Sequence, residues 1–370
     1  MWIPAFAGMT AAGGSTQQMT PPKSGLGCGP GPRYGKVKGM ALQPGQNGFP
    51  EWLAYLHRVV EAVDSGKSVA LGPSKQPPVP PAVAATEASG AKVLYCAPHP
   101  DDETLSGVLA LRMRLESGAR VTNIAVTLGS GAAQHERRRS EVASACRVLG
   151  FDLVIPDVSG KHRRLSGSDG EAVASLAAGA PQAGLGPVNL AARQSDPKGW
   201  AQRVQRLAEI FDQEQPEVVF APHADDFNTT HIGTHYLVTE ALDVHLSRRP
   251  GASLVFVETE FWHEMAESNL MVAVTPELAA IQLVAAAEHG GEMMRNPYHL
   301  LHPCRLMDNV RRGSEVVGGQ GAAVQPFTFA ELYRVSFRRS GEAIKPKPGG
   351  RMLPPSEKAG LDWLRQQFAT

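Results

Sequence analysis

Residues 92–107 read KVLYCAPHPDDETLSG. The apolar run Val93-Leu94-Tyr95-Cys96-Ala97 stops at Pro98, and His99, Asp101, Asp102 and Glu103 follow directly. Such a short apolar run bounded by proline reads as a buried strand, so one imidazole and three carboxylates stand at its carboxyl end. Adjacent carboxylates repel one another and cost desolvation energy unless positive charge lies between them. A bound cation is the first candidate for that charge.

Working outward, strand and helix patterns alternate. Strands are predicted over 92–97, 121–128, 152–156, 217–221 and 253–259, and helices over 103–117, 134–149, 198–214 and 231–247. Further strands over 270–274 and 329–337 flank a helix over 276–289. This alternation predicts an α/β, Rossmann-like three-layer fold with a mostly parallel central sheet. Before it, residues 1–48 are rich in Gly, Pro, Ser, Thr and Gln, a composition that predicts a disordered extension. Met40 precedes the first patterned segment and is a candidate start. Residues 49–90 divide into a docking helix and a Pro-rich linker; the helix carries the stripe Trp52, Leu53, Leu56, Val59, Val60 and Val63 and ends at Ser65-Gly66. The expected main domain spans 91–340, with 159–197 as a polar, Gly-rich inserted loop, and 341–370 form a tail with a short helix. No internal repeat is seen.

Composition narrows the partners. Lys plus Arg equals Asp plus Glu at 36 each, so no long-range field favours nucleic acid or an anionic membrane surface. A small, locally recognised molecule fits better, and an oligomer is compatible with the sequence. Cys28, Cys96, Cys146 and Cys304 form no C-x-x-C pair, which leaves a reducing cytoplasm as the simplest compartment. No run approaches the roughly 18 apolar residues of a membrane span, and no signal peptide is recognisable.

A second polar cluster, APHADDFNTTHIGTH at 221–235, follows another predicted strand. Ligands of a doubly wound sheet bind outside the carboxyl ends of its strands, so both clusters can face one crevice. His99 and Asp102 stand three residues apart at a helix start, Asp101 points elsewhere, and His231 can close a set of two histidines and one carboxylate. Such a set suits Zn²⁺ and leaves a fourth position open, as in hydrolytic sites. Plainer readings compete. H-P-D-D can serve as a helix cap. His231 and His235 are one turn apart, but Ile232 stands where H-E-x-x-H proteases carry their base. Leu128-Gly129-Ser130-Gly131 is half of a dinucleotide fingerprint, with Gln134 in place of the third glycine. HERRR, 135–139, reads as a solvated helix face.

Together, A-P-H-P-D-D-E, the R-x-x-E of Arg138 to Glu141 and the later D-x-N-x-T-H resemble the PIG-L/LmbE-like zinc-dependent N-acetylglucosaminyl deacetylases over about residues 91–337. The resemblance implies zinc ligands His99, Asp102 and His231, Asp101 as general base, and Arg138 as a substrate contact. Glu288-His289 is loosely similar to the family's late A-H-x-S-Q segment. One departure stands out. In Asp226-Phe227-Asn228-Thr229-Thr230-His231, Asn228 replaces the family's usual catalytic histidine and Thr230 its acidic partner. Asn228 can hydrogen-bond an oxyanion but cannot act as an acid. The expectation is a zinc-dependent hydrolase that removes an acetyl group from an N-acetylglucosamine-type conjugate, with Asp101 and Asn228 catalytic. The alternatives are a catalytically weak or silent zinc-containing sugar-binding protein and a dinucleotide-dependent enzyme.

Overall fold

The computed structural model describes residues 49–72, 81, 90–158, 163–166, 184–339 and 342–369. The extension 1–48, nearly all of the Pro-rich linker and the middle of the 159–197 insertion lie outside the described residues. The chain divides into two compact units, Met1–His57 and Arg58–Thr370. Helix α1 (Phe49–Gly66) forms where its stripe predicts it, with Trp52, Leu56 and Val60 exposed.

The larger unit is a three-layer α/β fold. Its parallel strands are β1 (Lys92–Ala97), β2 (Arg120–Ala125), β3 (Asp152–Ile155), β5 (Val218–Pro222) and β6 (Ser253–Thr259), lying in the order β3-β2-β1-β5-β6. β4 (Arg163–Leu165) pairs antiparallel with β3 inside the segment expected to be loop. Beyond β6, the long β8 (Phe329–Arg339) runs antiparallel, flanked by β7 (Leu270–Val274) and β9 (Glu342–Ile344). β10 (Arg351–Leu353), from the expected tail, continues the sheet parallel to β7.

β1 is buried on both faces, as its unbroken apolar run requires. Val93, Tyr95 and Ala97 face α3 (Val108–Ser117) and α4 (His135–Leu149). Leu94 and Cys96 face α6 (Pro197–Glu214) and α7 (Thr229–Ser247). The alternation is the period-two geometry of a strand inside a three-layer fold. The chain leaves β1 toward β2 on one side and β5 pairs on the other, so the carboxyl ends of β1 and β5 flank a topological switch point.

The helix expected over 103–117 is two helices, α2 (Asp102–Leu105) and α3, broken at Ser106-Gly107. Tertiary contacts outcompete helix continuity there. Ser106 Oγ donates to Glu260 O at 2.6 Å, and the first amides of α3 are taken by β8: Val108 N–H by Glu331 Oε2 at 2.9 Å and Leu109 N–H by Tyr333 Oη at 3.0 Å. The remaining helices are α5 (Leu190–Ser195), α8 (Pro276–Glu288), α9 (Gly290–Arg295), α10 (His302–Val316) and α11 (Leu361–Phe368). No helix among the described residues is long and apolar enough to cross a membrane.

Candidate metal centre

The three consecutive acids after β1 point to three different partners. Each therefore has its own compensation, which is how a buried acidic triplet is tolerated.

Asp102 turns toward the histidines. Its Oδ2 accepts the His99 backbone N–H at 2.9 Å and lies 3.3 Å from His99 Nδ1 and 3.2 Å from His231 Nε2. One ligand atom from each of His99, Asp102 and His231 falls within 4.8 Å of the others. His231 enters from the first turn of α7, whose start is fixed by Asn228: the Asn228 Oδ1 accepts Thr230 N–H at 2.9 Å as a helix cap. Behind His231, Asp226 Oδ2 lies 3.5 Å from Nδ1 and is itself held by Trp262 N–H at 3.2 Å, while Asp226 Oδ1 accepts Asn228 N–H at 2.8 Å. Asp226 thus orients the imidazole from behind. His231 is fully buried, yet neither ring nitrogen is aligned for a hydrogen bond. The buried Nε2 facing Asp102 is the nitrogen that a cation held with that carboxylate would satisfy, while Nδ1 faces Asp226.

Electrostatics agree with this geometry. Burial alone would raise the carboxyl of Asp102, but the His231 and His99 imidazoles hold it well below the usual carboxylate range. Burial would likewise lower His231, and the Asp102 charge followed by Asp226 reverses this, raising it to about 10. Asp102 and Asp226 therefore place strong negative potential on the His231 ring.

Asp101 turns the opposite way. It adopts φ 121°, a left-handed conformation uncommon for a residue with a side chain. Its Oδ2 accepts a short hydrogen bond from Tyr298 Oη, and its backbone N–H donates to Glu103 Oε2 at 3.1 Å. Burial, then the neighbouring Asp102 charge, push the Asp101 carboxyl upward, which suits a proton acceptor. Glu103, fully buried, pairs with His289 Nε2 at 2.7 Å. Burial tends to discharge His289, but Glu103 outweighs it and raises the imidazole.

Arg138 lies at the same edge of the sheet. Its guanidinium packs over Gly129, in the loop after β2, where an added Cβ would come within 2.7 Å of it, and Nη2 meets Glu292 at 2.5 Å. Arg137 joins Glu141 and Glu292, and Arg139 is buried. The solvated-face expectation for 135–139 is corrected accordingly: α4 packs against α8, and the arginines pair with Glu141 of α4 itself and Glu292 of α9. His235, one turn after His231, lies 3.0 Å from Pro222 O through Nδ1 and 3.5 Å from Glu258. His223 is buried with Nε2 3.0 Å from His263 O.

Sequence reading named Glu103, Asp226 and His289 without giving them these partners, and missed Tyr298 and Glu292. The third acid of H-P-D-D-E and the doubled acid Asp225-Asp226 were visible signals for Glu103 and Asp226. Tyr298 sits in an unpatterned connection, a short 3₁₀ turn Tyr298–Leu300, and no local signal marks it.

Residues 94–242 match the family model PIG-L, described as GlcNAc-PI de-N-acetylase. No curated protein matches the chain. Among solved structures, the chain is similar to N,N'-diacetylchitobiose deacetylase from Pyrococcus horikoshii at 16% identity, over 79% of this chain and 94% of that one, with a TM-score of 0.44. It is also similar to 4-carboxy-2-hydroxymuconate hydratase from Pseudomonas putida, at 16% identity over 68% and 98% of the two chains with a TM-score of 0.44. A conserved protein from Thermus thermophilus matches at 18% identity over 66% and 94%, with a TM-score of 0.43.

Proposed function

We propose, from the match of residues 94–242 to the PIG-L family model, that the protein is a zinc-dependent deacetylase acting on an N-acetylglucosamine-type conjugate or a related amide. The observation that carries the reading is the cluster of His99, Asp102 and His231 beside an independently held Asp101.

In this reading His99, Asp102 and His231 hold one Zn²⁺, which when bound would polarise the amide carbonyl and the attacking water. Asp101 takes a proton from the water. The water oxygen then bonds to the acetyl carbon and the carbonyl π pair moves onto its oxygen. Collapse breaks the C–N bond, and Asp101 returns the proton to the departing amine, so one carboxylate serves as base and then acid. Asp226 keeps His231 in register, and Arg138, drawn close by Glu292, contacts the substrate. Asn228 retains a free amide Nδ2 for an oxyanion contact while its Oδ1 caps α7. In this reading the protein acts in the cytoplasm, and residues 91–340 form its catalytic domain.

The test is amine release from N-acetylglucosaminides by zinc-loaded and chelated protein. Release that requires metal and falls by about 10² to 10⁴ in Asp101→Asn, with zinc content unchanged, supports the reading. Zinc bound at one per chain without any amine release across such substrates would move the protein to the binding-only alternative.

A further inference from the structure

Hydrolysis moves a negative charge from Asp101 to the carbonyl oxygen, and a hydrogen-bond donor within reach of both is the group best placed to follow it. Among the described residues, few donors surround Asp101. Asn228 caps α7 through Oδ1 and still offers Nδ2, but among the described residues no hydrogen bond joins that nitrogen to Asp101. His289 is fully buried and spends Nε2 on Glu103, so it cannot meet a substrate. Tyr298 remains. Its hydroxyl donates to Asp101 Oδ2, its ring is only partly buried, and Trp262 packs against it edge-on at 5.6 Å between centroids.

A base lies within about 3 Å of the proton it takes, and a water in near-attack geometry lies about 3 Å from the carbon it attacks. The carbonyl oxygen therefore comes within roughly two hydrogen-bond lengths of Tyr298 Oη. We propose that Tyr298 is a catalytic residue whose hydroxyl hydrogen bond passes from Asp101 to the oxygen of the tetrahedral intermediate, as a donor additional to the Nδ2 of Asn228.

The step balances. Asp101 gains the water proton and ceases to be an anion, the carbonyl oxygen gains the π electron pair, and Tyr298 keeps its proton and changes only its acceptor. Burial, then the neighbouring Asp101 charge, hold the phenol far above its ordinary range, which keeps that proton in place. The proposal rests on the deacetylase reading, and its test separates the two.

The probe is the N-methylphosphonyl derivative of glucosamine, a tetrahedral mimic of the intermediate, titrated calorimetrically into zinc-loaded protein. Tyr298→Phe is expected to weaken its binding by about 10- to 100-fold and to lower kcat by about 10² to 10³, with KM for the acetylated sugar and zinc content changed by less than about threefold. A structural role would instead move KM, zinc content and melting temperature together. Unchanged affinity for the mimic in Tyr298→Phe, or no binding of it by the wild type, overturns the proposal. If the wild type releases no amine yet loses affinity for the mimic on Tyr298→Phe, the deacetylase reading fails while the donor assignment stands. Should Tyr298→Phe not fold, 3-fluorotyrosine at 298 retains the shape and strengthens the donor; tighter binding of the mimic then supports the proposal and unchanged binding refutes it.

Discussion

Glu103 and His289 form an ion pair of 2.7 Å in which neither side chain reaches solvent. They join the helix after β1 to the junction of α8 and α9, behind Asp101. Breaking such a pair leaves one buried charge uncompensated, and His289→Ala is expected to destabilise the fold by about 3–5 kcal/mol. Replacing both partners, as Glu103→Gln with His289→Gln, is expected to cost much less. Denaturant unfolding of the single and double variants gives the comparison, and equal losses in both would show that the pair has no separate role.

Asp226 touches no candidate ligand atom's open side, yet it supports His231 from behind. Asp226→Asn is therefore expected to weaken zinc affinity by about 10- to 100-fold, whereas His231→Ala should remove most of it. Competition with a chromophoric chelator measures both. Full zinc retention in His231→Ala would remove His231 from the ligand set.

Asn228 is predicted to show itself first in stability. Loss of a helix cap costs about 0.5–2 kcal/mol, so Asn228→Ala should lower the unfolding free energy by that amount, while Asn228→Asp or Asn228→Ser preserves it. A drop in kcat of about 10² or more on top of this would assign the free amide nitrogen to the oxyanion, whereas unchanged kcat would leave it a cap alone.

His302 gives a pH dependence away from the metal centre. It is buried in α10 with Nε2 3.2 Å from Gln282 Oε1, and burial, then Arg305, lower its pKa to about 3. Between about 6.5 and 3 the unfolded chain binds a proton that the folded chain refuses, so this contribution is fully present above 6.5 and is lost as the pH falls. His302→Gln is expected to flatten the decline of unfolding free energy between pH 6.5 and 4. An identical decline in wild type and variant would rule His302 out as a source.

Much of the fold was legible because it follows local pattern. β6 and β7 fall on 253–259 and 270–274, where the sequence alone puts them, since both are continuous apolar runs. The break at Ser106-Gly107 was not legible, because Glu331 and Tyr333, more than two hundred residues away, supply the partners that end one helix and start the next. α10 escaped for a related reason. Its polar surface masks the few residues, Leu306, Val310 and Gly313, that pack on β8. At the site, the grouping of His99, Asp102 and His231 was legible from residue type and position after strands. The partners of Asp101 and Glu103 were not, since Tyr298 and His289 reach them only through tertiary packing.

The backbone of Asp101 carries a consequence for any screen that selects survivors by heat. At φ 121° a side chain costs on the order of 1–3 kcal/mol, a penalty glycine escapes. Asp101→Gly should therefore survive heating better than the wild type wherever relief of that strain exceeds the loss of the Tyr298 contact, and it should do so with no proton acceptor left at this position. In the deacetylase reading, a library ranked by thermal survival would enrich inert molecules at residue 101, and one ranked by turnover would discard them. On that reading, selection for hydrolysis would keep the chain on the less heat-resistant side of that choice.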